Sequence, residues 1–215
     1  MTPAVLVMAK APRPGHAKTR LEPLLGPAGC ARLQAELIRV AVAWGQTVGP
    51  VHVAVDPPDA VAEVGALAGD GVTLHPQEGD DLGQRLAAAT GRVFAAHDGP
   101  VVTVGTDMPT LGSFHADAVR DDFAHGVDAI FGPAHDGGYY LVALREPRPE
   151  LFALPADAWG GPDVFPLTAA IAGKLELEVG LLRGERDLDT PADATALLLH
   201  HALPAGVAAA LRTRG

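Results

Sequence analysis

AVLVMAKAPRPGHAKTRL, residues 4–21, joins a short apolar run to a compact basic loop. The run from Ala4 to Met8 has the length and composition of a buried β-strand. The loop from Lys10 to Arg20 carries four of the chain's 16 lysines and arginines, and Pro12 and Pro14 restrict its backbone. Because four like charges this close together repel one another unless anions lie among them, the loop is predicted to bind phosphate groups.

The loop does not match the standard phosphate-binding or dinucleotide-binding motifs. A Walker loop needs a glycine directly before its lysine, and Ala17 stands at that position before Lys18. No GxGxxG follows a predicted strand, so a dinucleotide-binding fold has no support. The prediction of phosphate binding therefore rests on the basic side chains and on Gly15, where the backbone can approach a ligand closely.

Beyond this loop, short β-branched runs alternate with longer amphipathic stretches. The predicted strands are Ala4–Met8, Val51–Val55, Val72–His75, Val101–Gly105 and Ala129–Phe131. The predicted helices are Pro27–Val48, Asp59–Ala68, Leu82–His97, Ser113–Gly126 and a terminal helix within Thr190–His201. This alternation is typical of βαβ units, so it predicts an α/β fold, a three-layer sandwich with a mainly parallel twisted sheet. Ligands of such sheets bind beyond the carboxyl ends of the strands.

The alternation breaks after residue 133. The run Tyr139–Leu144 predicts a late antiparallel strand or hairpin, and the Pro-rich segment Pro147–Pro166 predicts a lid or acceptor excursion at about residues 133–185. With 215 residues, of which 48% are hydrophobic, the chain has the size for one core. We therefore expect residues 1–215 to form a single domain.

Charge and hydropathy argue against two classes of partner. The chain has 26 acidic residues against 16 basic ones and a net charge of −10, which argues against general binding to nucleic acid or to an anionic membrane surface. No stretch approaches the roughly 20 apolar residues that span a bilayer, and the charge pattern at the N-terminus is the reverse of a signal peptide. These features predict a soluble, cytoplasmic protein.

GTDMP, residues 105–109, follows the predicted strand VVTV and places Asp107 at its carboxyl end. A carboxylate there can hold a divalent cation such as Mg²⁺, which takes one or two carboxylates together with phosphate oxygens and waters. Asp107 can equally cap the helix that begins near Ser113. The residues alone leave these two interpretations about even.

A second acidic cluster lies in RDLDTPAD, residues 186–193. Asp189 can share a cation with Asp107. Asp187 and Asp189 can instead stabilise the N-terminus of the last helix, where negative charge is favourable by about 0.3 to 1 kcal/mol. On the residues alone, the helix-terminus interpretation is the stronger one.

GPAHDGGYYL, residues 132–141, places Asp136 before paired glycines and paired tyrosines. Glycines allow backbone contact with a ligand, and tyrosines stack on or hydrogen-bond to a sugar or another polyol. A hairpin turn explains the same pattern and is favoured for this motif alone.

QEGDDLGQRL, residues 77–86, follows the third predicted strand. The amide of Gln77 can pair with the edge of a nucleobase, and Gly83 can let a ring lie against the backbone. Asp80 and Asp81 fit equally well as caps of the helix that starts near residue 82.

The chain resembles a family of GT-A-like bacterial proteins that are usually labelled glycosyltransferases, some of them associated with arsenosugar biosynthesis. The likeness is carried, in the same order from residue 4 to about residue 195, by VMAKAPRPGHAKTRL, DLGQRL, GTDMP, GPAHDGGYYLVAL, Trp159 and LDTPAD. The chain is more distantly similar to the molybdenum cofactor guanylyltransferases and to 2-phospholactate guanylyltransferase. The resemblance implies a GT-A fold of the nucleotide-diphospho-sugar transferase type.

The resemblance also implies roles for individual residues on the nucleotide side. The implied nucleotide-binding residues are Lys10, Gly15, Lys18, Arg20, Gln77 and Gly83. Lys18 and Arg20 contact the phosphates in this scheme, and Gln77 and Gly83 lie near the base.

Asp107 and Asp189 share Mg²⁺ or Mn²⁺ in the same scheme, which shifts both from the cap interpretation to the metal interpretation. Many GT-A glycosyltransferases carry a DxD pair at this strand end, whereas this chain has one acid there, preceded by Gly105 and Thr106. The single acid is closer to the nucleotidyltransferases.

The implied acceptor residues are Asp136, Gly137, Gly138, Tyr139 and Trp159. Trp159 and the Pro-rich segment around it either line the acceptor pocket or pack a lid, and the residues do not decide between the two.

We therefore predict a metal-dependent transferase that acts on a nucleotide and a small-molecule acceptor. The leading hypothesis is a nucleotidyltransferase that joins NMP from an NTP to a phosphorylated or anionic acceptor, with Lys18, Arg20 and Asp107 as its catalytic residues. The alternative is a glycosyltransferase that uses an NDP-sugar, with Asp136 as a catalytic base toward the acceptor. A non-catalytic nucleotide sensor is a third hypothesis, which the intact basic loop and both aspartates disfavour.

Overall fold

The computed structural model describes residues 2–213, in which helices cover both faces of a seven-stranded sheet. The strands are β1 Ala4–Lys10, β2 Val51–Asp56, β3 Val72–Pro76, β4 Val101–Val104, β5 Ala129–Pro133, β6 Tyr139–Leu144 and β7 Val179–Leu181. The helices are α1 Glu22–Val48, α2 Val61–Ala68, α3 Leu82–Ala96, α4 Ser113–Ala124, α5 Val164–Lys174, α6 Pro191–Leu197 and α7 Ala205–Arg212. Every strand and helix that the sequence predicts is therefore present, with small differences at the ends.

The order of the strands across the sheet is β3-β2-β1-β4-β6-β5-β7. β1 pairs in parallel with β2 and β4, β2 with β3, and β5 with β7. Within residues 2–213, β6 is the one strand that runs antiparallel to its neighbours, β4 and β5. The prediction of a mainly parallel sheet with a late antiparallel strand, in a three-layer α/β sandwich, is confirmed.

Both faces of the central strands are buried. Val5 and Val7 of β1 belong to a cluster that includes side chains of α1, α2 and α4. The alternate residues Ala4 and Leu6 belong to a cluster on the other face, with Val93 of α3. Two-sided burial explains why these strands read as continuous apolar runs rather than as an alternation of apolar and polar residues.

Helix α1 is buried on two sides. Ile38 packs toward the sheet, whereas Leu33 and Leu37 pack in a second cluster with side chains of α6 and α7. Gly26, with φ 66° and ψ 165°, interrupts the helix, so the regular part begins at Pro27, where the sequence predicts its start. Although α1 is 27 residues long, no helix of the described chain is both long and apolar enough to cross a membrane.

The C-terminal part differs from the sequence prediction. Thr190 caps α6 as expected, but the helix ends at Leu197 and does not reach His201. Leu199 is 87% exposed, so a longer helix would bury nothing further there. A separate helix, α7, follows Pro204 and was not predicted; it packs against α1 through buried apolar side chains such as Val207.

The segment between β6 and β7 contributes to the core. Leu151 and Phe152 are buried and belong to one cluster with Phe131 of the sheet and Leu86 of α3. Packing of this kind holds the Pro-rich segment against α3. The proposal of one domain with an excursion at about residues 133–185 stays a prediction.

Two buried histidines are expected to make the fold sensitive to acid. His52 of β2 and His75 of β3 have ring centroids 6.4 Å apart, and burial lowers the pKa of each below its ordinary value of about 6.5. Below about pH 6.5 the two imidazoles bind protons in the unfolded chain but remain largely neutral in the folded chain. The free energy of unfolding should therefore fall as the pH drops from about 6.5 toward 5.

Urea unfolding at about pH 7.5 and about pH 5 measures this loss, and His75→Gln is expected to reduce it because one excluded proton is removed. An equally large loss in His75→Gln and in the parent protein would contradict the assignment.

Candidate functional site

A cleft of about 520 Å³ opens at the carboxyl edge of the sheet, where the loops after β1, β4 and β5 meet. Most residues predicted for the site line this cleft: Lys10, Lys18, Arg20, Gln77, Asp107, Asp136, Gly138, Tyr139, Trp159 and Asp189. Gly15, Gly83 and Gly137 lie outside the lining. Residues from both ends of the chain thus meet at one place, as expected for the end of a parallel sheet.

The ammonium group of Lys18 lies between the two aspartates that were predicted to bind a metal. Lys18 Nζ is 2.8 Å from Asp107 Oδ1 and 3.6 Å from Asp189 Oδ1, and it donates a hydrogen bond of 2.6 Å to the carbonyl of Leu188. The ammonium group therefore has one hydrogen bond and two ion pairs within the protein. The Lys18 side chain is only 3% exposed, and its counter-ions in the structure are protein carboxylates.

The backbone at Lys18 directs this side chain inward. Lys18 has φ 55° and ψ 33°, a left-handed conformation, directly before the short 3₁₀ helix Thr19–Leu21. For a residue with a side chain this conformation costs on the order of 1 to 2 kcal/mol. The polar contacts of the ammonium group offset that cost.

The two arginines of the loop also form ion pairs with carboxylates of the protein. Arg20 Nη1 lies 2.8 Å from Asp189 Oδ2, with its side chain 69% exposed. Arg13 bonds to Asp59 at 3.0 Å and to Glu63 of α2 at 2.8 Å, which anchors the loop to that helix. The sequence predicted that phosphate neutralises the basic side chains of the loop. In the structure, carboxylates of the protein already neutralise Arg13, Lys18 and Arg20.

A buried glutamine of α1 joins the ends of β1 and β4. Gln34 Nε2 donates to the carbonyl of Lys10 at 2.9 Å and to Thr106 Oγ1 at 3.2 Å. The Thr106 hydroxyl in turn donates to Asp107 Oδ1 at 3.1 Å, and the backbone N–H of Leu188 donates to the carbonyl of Asp107 at 2.8 Å. Gln34 was not among the predicted site residues. Its signal in the sequence was an uncharged polar side chain among the leucines and the isoleucine of RLQAELI.

Asp107 and Asp189 do not cap helices. The N-cap of α4 is Gly112, whose N–H donates to His115 Nδ1 at 3.2 Å, and the N-cap of α6 is Thr190. The cap interpretation of Asp107 is therefore wrong. Asp189 precedes the cap of α6, but its carboxylate faces Lys18 and Arg20.

Gln77 and Gly83 contact the protein itself. Gln77 Nε2 donates to the carbonyls of Ala54 at 3.0 Å and Ala9 at 3.4 Å, so the amide oxygen is the atom that it can present to a base. A Cβ added at Gly83 would lie 2.3 Å from the carbonyl oxygen of Phe152 and 2.8 Å from Trp159 Nε1. The ring that packs beside Gly83 is therefore that of Trp159.

The DGG motif forms the turn between β5 and β6. Asp136 Oδ1 accepts a hydrogen bond of 2.9 Å from the N–H of Gly138, and Gly137 has φ 94°. A Cβ at Gly137 would lie 2.1 Å from the carbonyl oxygen of Pro162, so the turn also packs against the segment before α5. The hairpin interpretation is confirmed, and the same turn brings Asp136 to the cleft.

Near this turn, a group of acidic and aromatic residues lines the cleft. We call it the Asp136 wall; its residues are Asp136, Tyr139, Tyr140, Trp159 and Asp187. Burial raises the pKa of both tyrosine hydroxyls, so they stay neutral. The Tyr140 hydroxyl donates to the carbonyl of Arg183 at 3.1 Å.

Asp187 was not among the predicted site residues. Burial raises its pKa to about 6, and repulsion by Asp136, Asp189 and Asp107 adds to the effect. Its signal in the sequence was its position as the first acid of RDLD, two residues before Asp189.

The charges that line the whole cleft balance. Four basic side chains line it, those of Lys10, Lys18, Arg20 and Arg85, together with four acidic ones, those of Asp107, Asp136, Asp187 and Asp189. The basic groups come from the first loop and α3, and none of them belongs to the Asp136 wall. The cleft therefore combines groups of mixed charge with the acidic and aromatic residues of the Asp136 wall.

For a divalent cation, the chain offers two carboxylates at one point. Among residues 2–213, no three His, Cys, Asp or Glu side chains are grouped to hold a metal. Asp107 Oδ1 and Asp189 Oδ1 nevertheless both lie within 4 Å of Lys18 Nζ, so the two carboxylates are neighbours. Mg²⁺ commonly takes one or two carboxylates and completes its shell with phosphate oxygens and waters. These residues fit such an ion.

Comparison with known proteins supports the fold and the family. A crystal structure of a candidate nucleotide-diphospho-sugar transferase from Desulfovibrio desulfuricans G20 is 29% identical, with a TM-score of 0.88 over 98% of this chain and 94% of that chain. A cytidylyltransferase from Leptospira borgpetersenii is 16% identical, with a TM-score of 0.56 over 92% and 85%. Rv0371C from Mycobacterium tuberculosis H37Rv, solved in complex with manganese, is 19% identical, with a TM-score of 0.51 over 92% and 98%.

These likenesses confirm the nucleotide-diphospho-sugar transferase fold that the motifs implied. Residues 37–160 also match a family model described as "Uncharacterized protein conserved in bacteria (DUF2064)". No protein with a curated function matches the chain.

Gly83→Ala is expected to disturb the cleft without changing any charged group. The added methyl group would force Phe152 and Trp159 away from α3, because both lie within 3 Å of its position. We expect a lower melting temperature and a changed emission of Trp159, one of two tryptophans in the chain.

Gly91→Ala, in the same helix, is the matched control because nothing lies within 4 Å of its added Cβ. It should stabilise α3 by about 0.5 to 1 kcal/mol and leave the emission unchanged. Equal behaviour of the two variants would contradict the packing of Trp159 on Gly83.

Proposed function

We propose that this chain, which belongs to the bacterial DUF2064 family, is a metal-dependent transferase that uses a nucleotide as its donor. The leading candidate is a nucleotidyltransferase that joins NMP from an NTP to a small phosphorylated or anionic acceptor and releases pyrophosphate. Because nucleotides are cytoplasmic metabolites, we propose that it acts in the cytoplasm.

One observation carries this proposal: two cations of the first loop and two aspartates from distant parts of the chain meet at one edge of the sheet. Lys18 Nζ lies 2.8 Å from Asp107 Oδ1, and Arg20 Nη1 lies 2.8 Å from Asp189 Oδ2. A metal-bound polyphosphate needs both signs of charge, because carboxylates bind the metal and cationic side chains bind the phosphate oxygens. This pairing of groups supports a nucleotide polyphosphate as the ligand.

The balance of charge supports the need for a metal. The cleft is lined by as many aspartates as lysines and arginines. A polyphosphate brings several negative charges, and the four cations of the cleft are already balanced by four carboxylates. A divalent ion on Asp107 and Asp189 would supply the further positive charge.

In the leading candidate an oxygen of the acceptor attacks the α-phosphorus of the NTP in line with the leaving group. A bond forms between that oxygen and the phosphorus, the bond from the phosphorus to the bridging oxygen breaks, and pyrophosphate leaves with the electron pair. We assign to Lys18 and Arg20 the stabilisation of charge on the phosphates. Mg²⁺ or Mn²⁺, when bound by Asp107 and Asp189, supplies charge neutralisation at the phosphate oxygens.

The Asp136 wall favours a second candidate, a glycosyltransferase that uses an NDP-sugar. In this reaction an acceptor hydroxyl attacks the anomeric carbon, Asp136 takes the hydroxyl proton, and the bond from that carbon to the diphosphate breaks to release NDP. An acidic, aromatic wall suits an uncharged polyol better than an anion. The Desulfovibrio protein, at 29% identity, is described as a candidate nucleotide-diphospho-sugar transferase.

Product analysis separates the two candidates. The protein is incubated with Mg²⁺ and NTPs plus a panel of sugar phosphates and phospho-acids, and separately with NDP-sugars plus neutral sugars and polyols. Pyrophosphate that appears only with an acceptor supports the nucleotidyltransferase, and free NDP supports the glycosyltransferase. Neither product across both panels would contradict the proposed function.

Asp107→Asn is expected to reduce metal-dependent turnover by on the order of 100-fold, because a neutral amide binds a divalent cation poorly and no longer pairs with Lys18. Steady-state kinetics with the donor identified above measures the loss.

Asp117→Asn is the matched control, since Asp117 is an exposed carboxylate of α4 that pairs with Arg120 at 3.1 Å. Its turnover should equal that of the parent protein. Parent-like turnover in Asp107→Asn would remove the metal from the proposal.

A further inference from the structure

We infer that Lys18 is an internal cation that competes with the divalent metal for Asp107 and Asp189, so that metal and phosphates bind well only together. The inference rests on the proposed function and deepens it, because it concerns how the site admits its metal. It follows from the contacts of one ammonium group.

The first step is the position of that group. Lys18 Nζ lies 2.8 Å from Asp107 Oδ1 and 3.6 Å from Asp189 Oδ1. A metal shared by the two carboxylates must approach the same oxygens, at the roughly 2.0 to 2.1 Å that Mg²⁺ requires. Two cations cannot occupy this space together at low cost, because like charges so close repel strongly in a buried site.

The second step is that the Lys18 ammonium already has partners within the protein. It donates a hydrogen bond to the carbonyl of Leu188 and forms ion pairs with Asp107 and Asp189. Because its side chain is only 3% exposed, a phosphate oxygen reaches Nζ only if it replaces one of these partners. A carboxylate that is replaced loses its counter-ion, and a divalent cation can then bind it.

The third step is that the metal and the polyphosphate assist each other's binding. A metal alone must displace an ammonium that is only 3% exposed and has no other anion to accept its protons. A polyphosphate alone meets a lysine that is already neutralised. When both arrive, the metal replaces Lys18 on the carboxylates and the phosphates replace the carboxylates on Lys18. The free energy of each exchange is then favourable.

Arg20 does not play the same part. Its side chain is 69% exposed, so its pairing with Asp189 is weakened by solvent and an approaching metal displaces it easily. Arg13 pairs with Asp59 and Glu63 and does not contact either site aspartate. Lys18 is therefore the loop cation whose removal should change metal binding, and Arg13 provides a control of equal charge.

The test is a titration with Mn²⁺, followed by electron paramagnetic resonance of the free ion, on the parent protein, Lys18→Met and Arg13→Met. In the absence of phosphates, Lys18→Met is expected to bind Mn²⁺ at least about tenfold more tightly than the parent, because the competing cation is gone. Arg13→Met should match the parent, although it loses the same charge. Inorganic triphosphate, which carries no base, should raise Mn²⁺ affinity in the parent and much less in Lys18→Met.

Two results would overturn the inference, and they differ in what they say of the proposed function. If Lys18→Met binds Mn²⁺ no more tightly than the parent, while the parent binds Mn²⁺ with triphosphate, the competition is refuted and the metal-dependent function stands. If no protein binds Mn²⁺ with or without triphosphate, both fail.

A measurement on the parent protein covers the case in which Lys18→Met does not fold. The chain has three lysines, so selective ¹³C labelling of lysine gives three side-chain Cε signals. Lys10→Arg and Lys174→Arg assign two of them and leave Lys18. Mg²⁺ with inorganic triphosphate should shift the Lys18 signal and leave that of Lys174 in place, whereas an unshifted Lys18 signal would overturn the inference.

Discussion

The ammonium group of Lys18, held between Asp107 and Asp189, is the interaction on which the edge of this sheet depends. It fastens the first loop to the end of β4 and to the segment before α6. A lysine side chain with 3% exposure is tolerated because it is paired and hydrogen-bonded. The same cluster holds the edge of the sheet together and, in the proposed function, binds the metal and the phosphates.

The sheet topology explains how these groups come together. β1 and β4 are parallel neighbours, so the loops that carry Lys18 and Asp107 leave the sheet at the same edge. β6 runs antiparallel, so its beginning, at Tyr139, lies at that edge together with the end of β5. The one reversal of direction in the described sheet thus brings Asp136, Tyr139 and Tyr140 to the edge that carries the basic loop. Trp159 and Asp187 join them from later segments of the chain.

Much of the fold could be predicted because local pattern determines it. Two-sided burial gives the strands continuous apolar runs, and α1 begins at Pro27 after Gly26, as its residues indicate. The C-terminal helix α7 escaped prediction because it has only 8 residues and its burial depends on α1. Distant packing decided that element.

Most of the predicted site residues line the cleft, but their contacts were not predictable. The position of Asp107 followed from a strand end, whereas its pairing with Lys18 depends on a left-handed backbone conformation that no pattern in the loop announces. Gln34 acts through a hydrogen bond across the core, and Gly83 accommodates a tryptophan far along the chain. Anomalous diffraction from crystals grown with Mn²⁺ and inorganic triphosphate tests the exchange of cations at Asp107 and Asp189. One manganese peak is expected between these aspartates, with Lys18 Nζ moved onto a phosphate oxygen. Manganese bound elsewhere, with Lys18 still held by both aspartates, would contradict that exchange.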